Sequence, residues 1–396
     1  MLFDWNTIMT TTVNGQPPPV QNRFAAITQL AVFEAVNAVT GDYKPYLTTI
    51  KATPDASAEA AVVAAAHAVL TNYFPDNAAS LDAARARSLA AISEGPSKSA
   101  GIAVGEAAAA AIIAARANDG SEMPEFHLPS SSRPGEWQLT PGCPPEGGIF
   151  VHFRNVTPFG IRSADQFRSD PPPALTSRRY TRDYKEVKAV GALDSTARPQ
   201  ERADVAQFYA VFSDAPLWNT IARQVAAARG KSLSQNARAF ALLNMALSDG
   251  GVAVLETKYY YNFWRPETAI RDGDRDRNPA TDSDISFAPF IVAPCFPSYP
   301  SGHATTSYAA REIVERVYGR GPHSITLLVP DVPGVTLKYT RLKDITDDID
   351  DARVYGGIHF RFDQDEAAEQ GRRLGAYVYE HNLRRARGSK CDEERG

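Results

Sequence analysis

Cysteine is scarce in this chain. Cys143, Cys295 and Cys391 are its only three; they are odd in number, widely spaced and lack a Cys-x-x-Cys pair, so the sequence predicts isolated thiols rather than a zinc ribbon or a disulfide framework. Long apolar runs are missing as well. The richest, Ala60–Leu70 and Ala107–Ala115, are alanine-rich and fall short of the ~18 residues that suggest a membrane span. Positive charge is not in excess: 42 Lys and Arg against 46 Asp and Glu leave a net charge of −4, which offers no global basic field for nucleic acid or acidic lipid. Neither nucleic acid nor a membrane is therefore an expected partner, and any anion site must be local. After Met1 there is no basic n-region and no apolar h-region. The sequence predicts a soluble protein, periplasmic or secreted if the chain is a processed form and otherwise cytoplasmic. Strand–helix alternation and a Gly-rich phosphate loop after a strand are also absent, which argues against a doubly wound α/β fold.

What is there is helical periodicity. With 43% hydrophobic and 22% charged residues the composition is that of an ordinary globular protein. Apolar residues recur at helical spacing over Phe24–Val39, closed by Gly41, and over Ser57–Tyr73, Ala78–Ser93 and Ser97–Ala117, where alanine permits close helix approach. Residues 118–176 break the pattern with scattered prolines, while Trp137, Phe150, Phe153 and Phe159 anchor an irregular crossover. Helices are expected again at Tyr180–Leu193, Glu201–Phe212, Trp218–Arg229 and, opened by Ser234, Gln235–Tyr261. Two more, Thr305–Tyr318 and Gln364–Asn382, flank a polar stretch. The reading is a single all-α domain over residues 1–396, a multi-helix bundle of about a dozen helices. It comprises N-terminal helices (1–117), the crossover (118–176), a catalytic bundle (177–384) and a frayed tail (385–396).

Three separated segments carry chemistry. In Lys258-Tyr-Tyr-Tyr-Asn-Phe-Trp-Arg265-Pro266 the two cations are seven residues apart, roughly 700° of helix, which predicts a shared face two turns apart. Pro266 either opens the next helix or ends this one, and both make Arg265 a terminal, aimable side chain. In Phe296-Pro-Ser-Tyr-Pro-Ser301-Gly302-His303, Ser301 sits where an N-cap belongs. Gly302 lets backbone approach a ligand, and His303 in the first turn can exchange a proton with it. In Ala352-Arg353-Val-Tyr-Gly-Gly-Ile-His359-Phe-Arg-Phe-Asp363, the His359–Asp363 spacing suits one helix face, and Gly356-Gly357 is expected to bend the backbone after Arg353. Three cations, neutral donors and two imidazoles suit a tetrahedral oxyanion becoming five-coordinate.

The pattern Lys-x6-Arg-Pro, Pro-Ser-Gly-His and Arg-x5-His-x3-Asp, in this order, resembles the signature of the superfamily of vanadium-dependent haloperoxidases and type 2 phosphatidic acid phosphatases. Asp4-Trp5-Asn6, the Pro17–Val39 segment, Trp218-Asn-Thr-Ile-Ala-Arg223 and Tyr260-Tyr-Asn-Phe-Trp-Arg-Pro266 resemble its bacterial haloperoxidase branch. The resemblance implies vanadate as cofactor, with phosphate able to occupy the site in its place. It implies His359 as the vanadium ligand, with Lys258, Arg265, Ser301, Gly302 and Arg353 on the oxygens. His303 is the implied acid–base group and Asp363 the support of the bound histidine. The implied activity is oxidation of halide by hydrogen peroxide to a hypohalous acid equivalent that halogenates a small organic acceptor. Phe296 stands where chloroperoxidase-like members carry Phe and algal bromoperoxidase-like members His, which implies an apolar halide pocket. Ala352 departs from the Ser usual in phosphatases. The alternatives are a vanadate-inhibited acid phosphatase with a phosphohistidine at His359, and a non-catalytic oxyanion-binding scaffold. A homodimer is left open, as is the choice of halide.

The other histidines, His67, His127, His152, His323 and His381, are expected in structural or surface roles. Tyr259-Tyr260-Tyr261 and Trp264 are expected to pack around the Lys258 helix. The acidic run Asp344–Asp351 lacks EF-hand spacing and is expected to face solvent or a helix dipole.

Overall fold

The computed structural model describes residues 1–47 and 50–386; residues 387–396 of the predicted tail, Cys391 among them, lie outside the described residues. The helices run α1 (Leu2–Val13), α2 (Pro18–Thr40), α3 (Ala58–Tyr73), α4 (Ala78–Ala90), α5 (Pro96–Arg116), α6 (Arg178–Val190), α7 (Gln200–Val211), α8 (Asp214–Ala227), α9 (Leu233–Tyr261), α10 (Pro266–Arg271), α11 (Gly302–Tyr318), α12 (Leu342–Tyr355) and α13 (Arg361–His381). One antiparallel hairpin, β1 (Ile325–Leu328) with β2 (Thr336–Tyr339), pairs Ile325 with Tyr339. The all-α expectation stands. The sequence reading placed no element at α1 or the hairpin, offered α10 only as one of two roles for Pro266, and α12 was hidden because its acidic residues mask the stripe Ile345, Ile349 and Ala352.

The 29-residue α9 is the axis of the fold, packed by α2, α11, α13 and α8. Its N-cap is Ser232 rather than the expected Ser234. Ser232 Oγ accepts from Gln235 N while Gln235 Oε1 accepts from Ser232 N, a reciprocal cap. By length and composition both α5 and α9 could cross a membrane, which unbroken apolar runs did not show because their few charges are diluted along the helix. In the fold α9 is a core helix with 94% of that stretch buried, and α5 packs on α3 and α2.

Two glycines set the approach of α13 to α11: a Cβ on Gly371 would overlap the carbonyl of Thr305, and one on Gly375 that of Ala309. That closeness puts the start of α13 beside the start of α11. On the other side, Trp218 Nε1 of α8 donates to Ser307 Oγ of α11 at 2.9 Å. An asparagine chain ties α1, α8 and α9, with Asn6 Nδ2 donating to Asn219 Oδ1 at 2.7 Å and Asn219 Nδ2 to Asn244 Oδ1 at 2.8 Å. The motif residues are thus fastenings, Trp218 holding α8 against α11 and Asn6 and Asn219 holding it against α1 and α9.

The crossover is irregular, as expected, apart from a 3-10 turn at Val151–Asn155, and it is pinned rather than loose. Asp249, fully buried on α9, accepts from the backbone N–H groups of Phe159, Gly160 and Ile161 at 2.6–2.9 Å. Burial pushes its carboxyl up to about 6, against those three donors. Asp249→Ala leaves three amides unpaired and should cost about 3 kcal/mol, measured as a lowered urea midpoint with an unchanged slope.

The expectation of isolated thiols is corrected: Cys143 and Cys295 form a disulfide across 152 residues. Spacing could not reveal it, because the partners meet only when the crossover folds back on the segment before α11. Ile149 N donates to Cys295 O at 2.9 Å beside the bond.

Candidate active site

Each chemical segment arrives with its own aromatic anchor. Phe263 and Trp264 precede Arg265, Tyr299 precedes Ser301, and Phe360 and Phe362 follow His359; these five rings share one buried cluster. Phe360 and Phe362 stack at 4.9 Å, and Phe263 meets both edge-on at 6.1 and 5.8 Å. Such pairs contribute about 0.5–1.5 kcal/mol each beyond area burial, so the cluster draws three distant stretches of chain to one place.

Lys258 is fully buried in the last turn of α9, where its Nζ donates to the carbonyls of Pro297 at 2.9 Å and Ser298 at 2.7 Å. The expected shared helix face is not what brings Arg265 to it. Asn262 adopts a left-handed conformation (φ 50°) and ends α9, while Arg265 is the N-cap of α10 with Pro266 at N1. The helix stops because Asn tolerates that region and Pro266 can open a new one. Arg265 then donates through Nε to Phe296 O and through Nη1 to Ile358 O, both at 2.9 Å, and Nη1 lies 3.1 Å from His359 Nε2.

Ser301 is the N-cap of α11, as expected, yet its hydroxyl caps nothing. Gly302 is the first helical residue, in the turn whose amides have no intrahelical acceptor and face the positive end of the helix dipole. His303 follows it. Arg353 ends α12, and the expected bend is real: Gly357 has φ 79°, and a Cβ there would overlap the Gly191 carbonyl. His359 lies beyond that bend, outside the helix, so it and Asp363 do not share a helix face. Asp363, in the first turn of α13, instead reaches back. Its Oδ2 accepts from His359 Nδ1 at 2.7 Å, Ser298 Oγ at 2.5 Å and Phe360 N at 3.2 Å. This assigns the imidazole proton to Nδ1 and leaves the Nε2 lone pair facing Arg265.

Asp214 was not singled out by sequence. Its Oδ1 lies 3.2 Å from His303 Nε2, too far off line to count as a hydrogen bond. The only signal was an acidic residue in a first turn, which reads as a dipole partner; the sequence reading also started that helix four residues late, at Trp218 rather than Asp214.

These groups surround a cavity of about 550 Å³ whose lining includes Lys258, Gly302, His303, Arg353, His359 and Phe296. Arg265, Ser301 and Asp363 stand directly behind that surface, fully buried. None of the other five histidines lines it. His67 pairs with Asp82, and His381 stacks on Tyr377. Trp264 packs in the aromatic cluster as expected, and Tyr259 donates to Ile149 O, whereas Tyr260 is exposed. The acidic residues of α12 engage arginines, Asp348 and Asp351 with Arg202 and Asp351 also with Arg361.

Burial dominates the electrostatics. It pushes Lys258 well below the usual amine range, with Arg265 adding to the effect, and lowers Arg265 to about 9 and Arg353 to about 10. Burial lowers His303 to about 3, helped by Arg353, and raises Asp214 to about 7. Both shifts favour the neutral forms, so burial disfavours two full charges here. Three mutually opposed cations around one cavity are resolved by an anion at their centre.

The donor set fits vanadate. Arg265 Nη2, Ser301 Oγ and Arg353 Nε are buried donors with no partner in the protein, an inventory for an oxyanion's oxygens, and His303 Nε2 is buried beside them without a hydrogen bond. Among the described residues no group of His, Cys, Asp or Glu could hold a bare metal cation, whereas an oxyanion needs donors and one imidazole lone pair.

Comparison with known proteins agrees with this geometry. A family model described as the VCPO second helical-bundle domain matches residues 238–388, which contain all three segments. The chain is 26% identical over 271 residues to the vanadium chloroperoxidase of Curvularia inaequalis, covering 50% of this chain and 43% of that protein. It therefore spans less than half the length of that curated relative. In structure it is similar to the first bacterial vanadium-dependent iodoperoxidase, with TM-score 0.80 and 26% identity over 97% of this chain and 96% of the other. It shares the fold of a bacterial vanadium-dependent chloroperoxidase, with TM-score 0.75 and 17% identity over 92% of both chains.

Proposed function

From a chain similar to vanadium haloperoxidases in sequence and built on their fold, we propose a vanadate-dependent haloperoxidase that uses hydrogen peroxide to oxidise a halide. The observation that carries this reading is the set of unpartnered buried donors around the His359 lone pair. Arg265, Ser301, Gly302, Arg353 and Lys258 would hold the vanadate oxygens, and His359 Nε2 would be the protein ligand to vanadium. Bound vanadate supplies Lewis acidity that polarises the peroxide O–O bond without changing oxidation state.

The protein's own part is positioning and proton movement. Asp363 fixes the tautomer of His359 through Nδ1. His303 Nε2, low in basicity, accepts a proton as hydrogen peroxide enters and returns it to the departing oxygen. Lys258 Nζ, held by two carbonyls, keeps one N–H for the peroxide and draws charge from it. Phe296 covers Lys258 Nζ and the Arg265 guanidinium at 5.2 and 5.0 Å from its ring centre and gives the weakly hydrated halide an apolar approach. In balance, halide, hydrogen peroxide and a proton give hypohalous acid and water. The Cys143–Cys295 disulfide supports an oxidising compartment, periplasmic or secreted, as part of this reading.

The test is incubation with orthovanadate, peroxide and chloride, bromide or iodide, following halogenation of a phenolic dye. Vanadate-dependent turnover is expected with at least one halide. Phosphate-ester hydrolysis that vanadate inhibits, without halide oxidation, would overturn the reading in favour of a phosphatase.

A further inference from the structure

The cavity is larger than the proposed cofactor needs. Four oxygens around one centre occupy on the order of 120 Å³ at the ~30 Å³ share of a water molecule, so most of the 550 Å³ remains above the cations. That remainder is of the size that holds small organic ligands. Its walls are apolar: Leu255 from α9, Pro19 from α2, Val211 from the end of α7, and the rings of Phe150 and Phe296. Val211 stays 49% exposed, an aliphatic side chain at the mouth.

Phe150 is unusual within this wall. Its φ is 63°, the left-handed region that disfavours a bulky side chain, and glycine or asparagine is the usual occupant. The surroundings hold it there from several directions. On one side Ile149 N donates to Cys295 O and Tyr259 donates to Ile149 O; on the other Phe153 N donates to Phe150 O at 3.0 Å; and the Cys143–Cys295 bond ties the two walls together. A strained residue so over-determined points to a use for its side chain. That side chain lines the cavity and meets Phe296 at 6.3 Å between ring centres, tilted by 51°. The two rings touch, so they form an open apolar corner above the cations rather than a slot.

We propose that Phe150 determines specificity by forming, with Phe296, a docking corner for an electron-rich aromatic acceptor of the phenol class, halogenated inside the cavity. This rests on the haloperoxidase reading and deepens it. A flat ring fits a tilted aromatic corner edge-to-face, and an electron-rich ring is the partner that electrophilic halogen attacks. In the transfer the ring carbon takes the halogen from hypohalous acid as the O–halogen bond breaks. The ring proton joins the released hydroxide as water.

The experiment uses the vanadate-loaded full chain with phenol as probe, bromide and peroxide. Bromination should saturate in phenol, and its ortho-to-para product ratio should differ from that of reagent hypobromous acid. Equilibrium dialysis should show one saturable phenol site. Phe150→Ala should raise KM for phenol about five-fold, with KM for peroxide within about two-fold, and move the product ratio toward that of the free reagent. Phe150→Leu, which keeps apolar bulk without a ring face, should fall between. A rate independent of phenol concentration together with the free-reagent ratio overturns the proposal; if neither variant folds, the wild-type saturation and product ratio decide it. Triiodide formation from iodide and peroxide without any organic acceptor is read in parallel. Its absence rejects the haloperoxidase reading, whereas its presence beside non-saturating bromination rejects only the docking corner.

Discussion

His359→Ala is expected to abolish vanadate-dependent halide oxidation, a loss on the order of 10³-fold or more, and to remove tightly bound vanadium from the protein. The residue supplies the single imidazole lone pair in the cradle, fixed toward Arg265 by the Nδ1 contact to Asp363. No other histidine except His303 lines the cavity, and His303 enters from the first turn of α11. The check is vanadium per chain by atomic emission after gel filtration, read beside turnover. Orthovanadate should raise the melting temperature of the wild type and raise that of the variant much less. Asp363→Ala, which frees the tautomer but leaves the lone pair, should weaken vanadate binding by about 10–100-fold. If the His359 variant retains stoichiometric vanadium and turnover, the ligand assignment is wrong.

The second large effect separates binding from chemistry. His303→Ala should lower kcat by about 10²–10⁴-fold while vanadium content stays near that of the wild type, because Arg265, Ser301, Arg353 and His359 remain. The same substitution should improve stability in acid. Burial holds the His303 imidazole down to about 3 in the fold against ~6.5 unfolded, so the unfolded chain binds a proton first. Wild-type stability through this group is complete above pH ~6.5 and declines as the pH falls toward the folded value. The variant lacks that decline, which urea melts at pH 7 and pH 5 would reveal as a smaller drop than in the wild type. Equal drops would show that Asp214 supplies enough counter-charge to keep the imidazolium comfortable.

What the chain shows by itself divides along a physical line. Spacing and residue type carry local chemistry, so Lys258, Arg265, Ser301, Gly302, His303, Arg353 and His359 were legible as one anion-binding set, and the Gly356-Gly357 bend was legible from its glycines. Helices with apolar or alanine stripes were found to within a few residues. Lost were features that depend on the path between segments. Asn262 looks like another helical position between Tyr261 and Phe263, yet its left-handed turn separates Lys258 from Arg265. Asp214 reaches His303 only because Trp218 and Asn219 fasten α8 to α11 and α9. The hairpin is four residues per strand with one short alternation, too brief to outweigh its helical surroundings. The aromatic cluster was visible as residues but not as the device that gathers the motifs.

Under the proposed function the cysteine bridge takes on a further meaning. Hypohalous acids attack thiolates before most other side chains, carrying them to sulfenic and then irreversible acids. Cys295 sits between Pro294 and Phe296, both in the cavity wall. Joined to Cys143, it presents no thiol there. Under the proposed chemistry these two sulfurs are thereby spent in advance, and a haloperoxidase on this fold does not become its own first substrate.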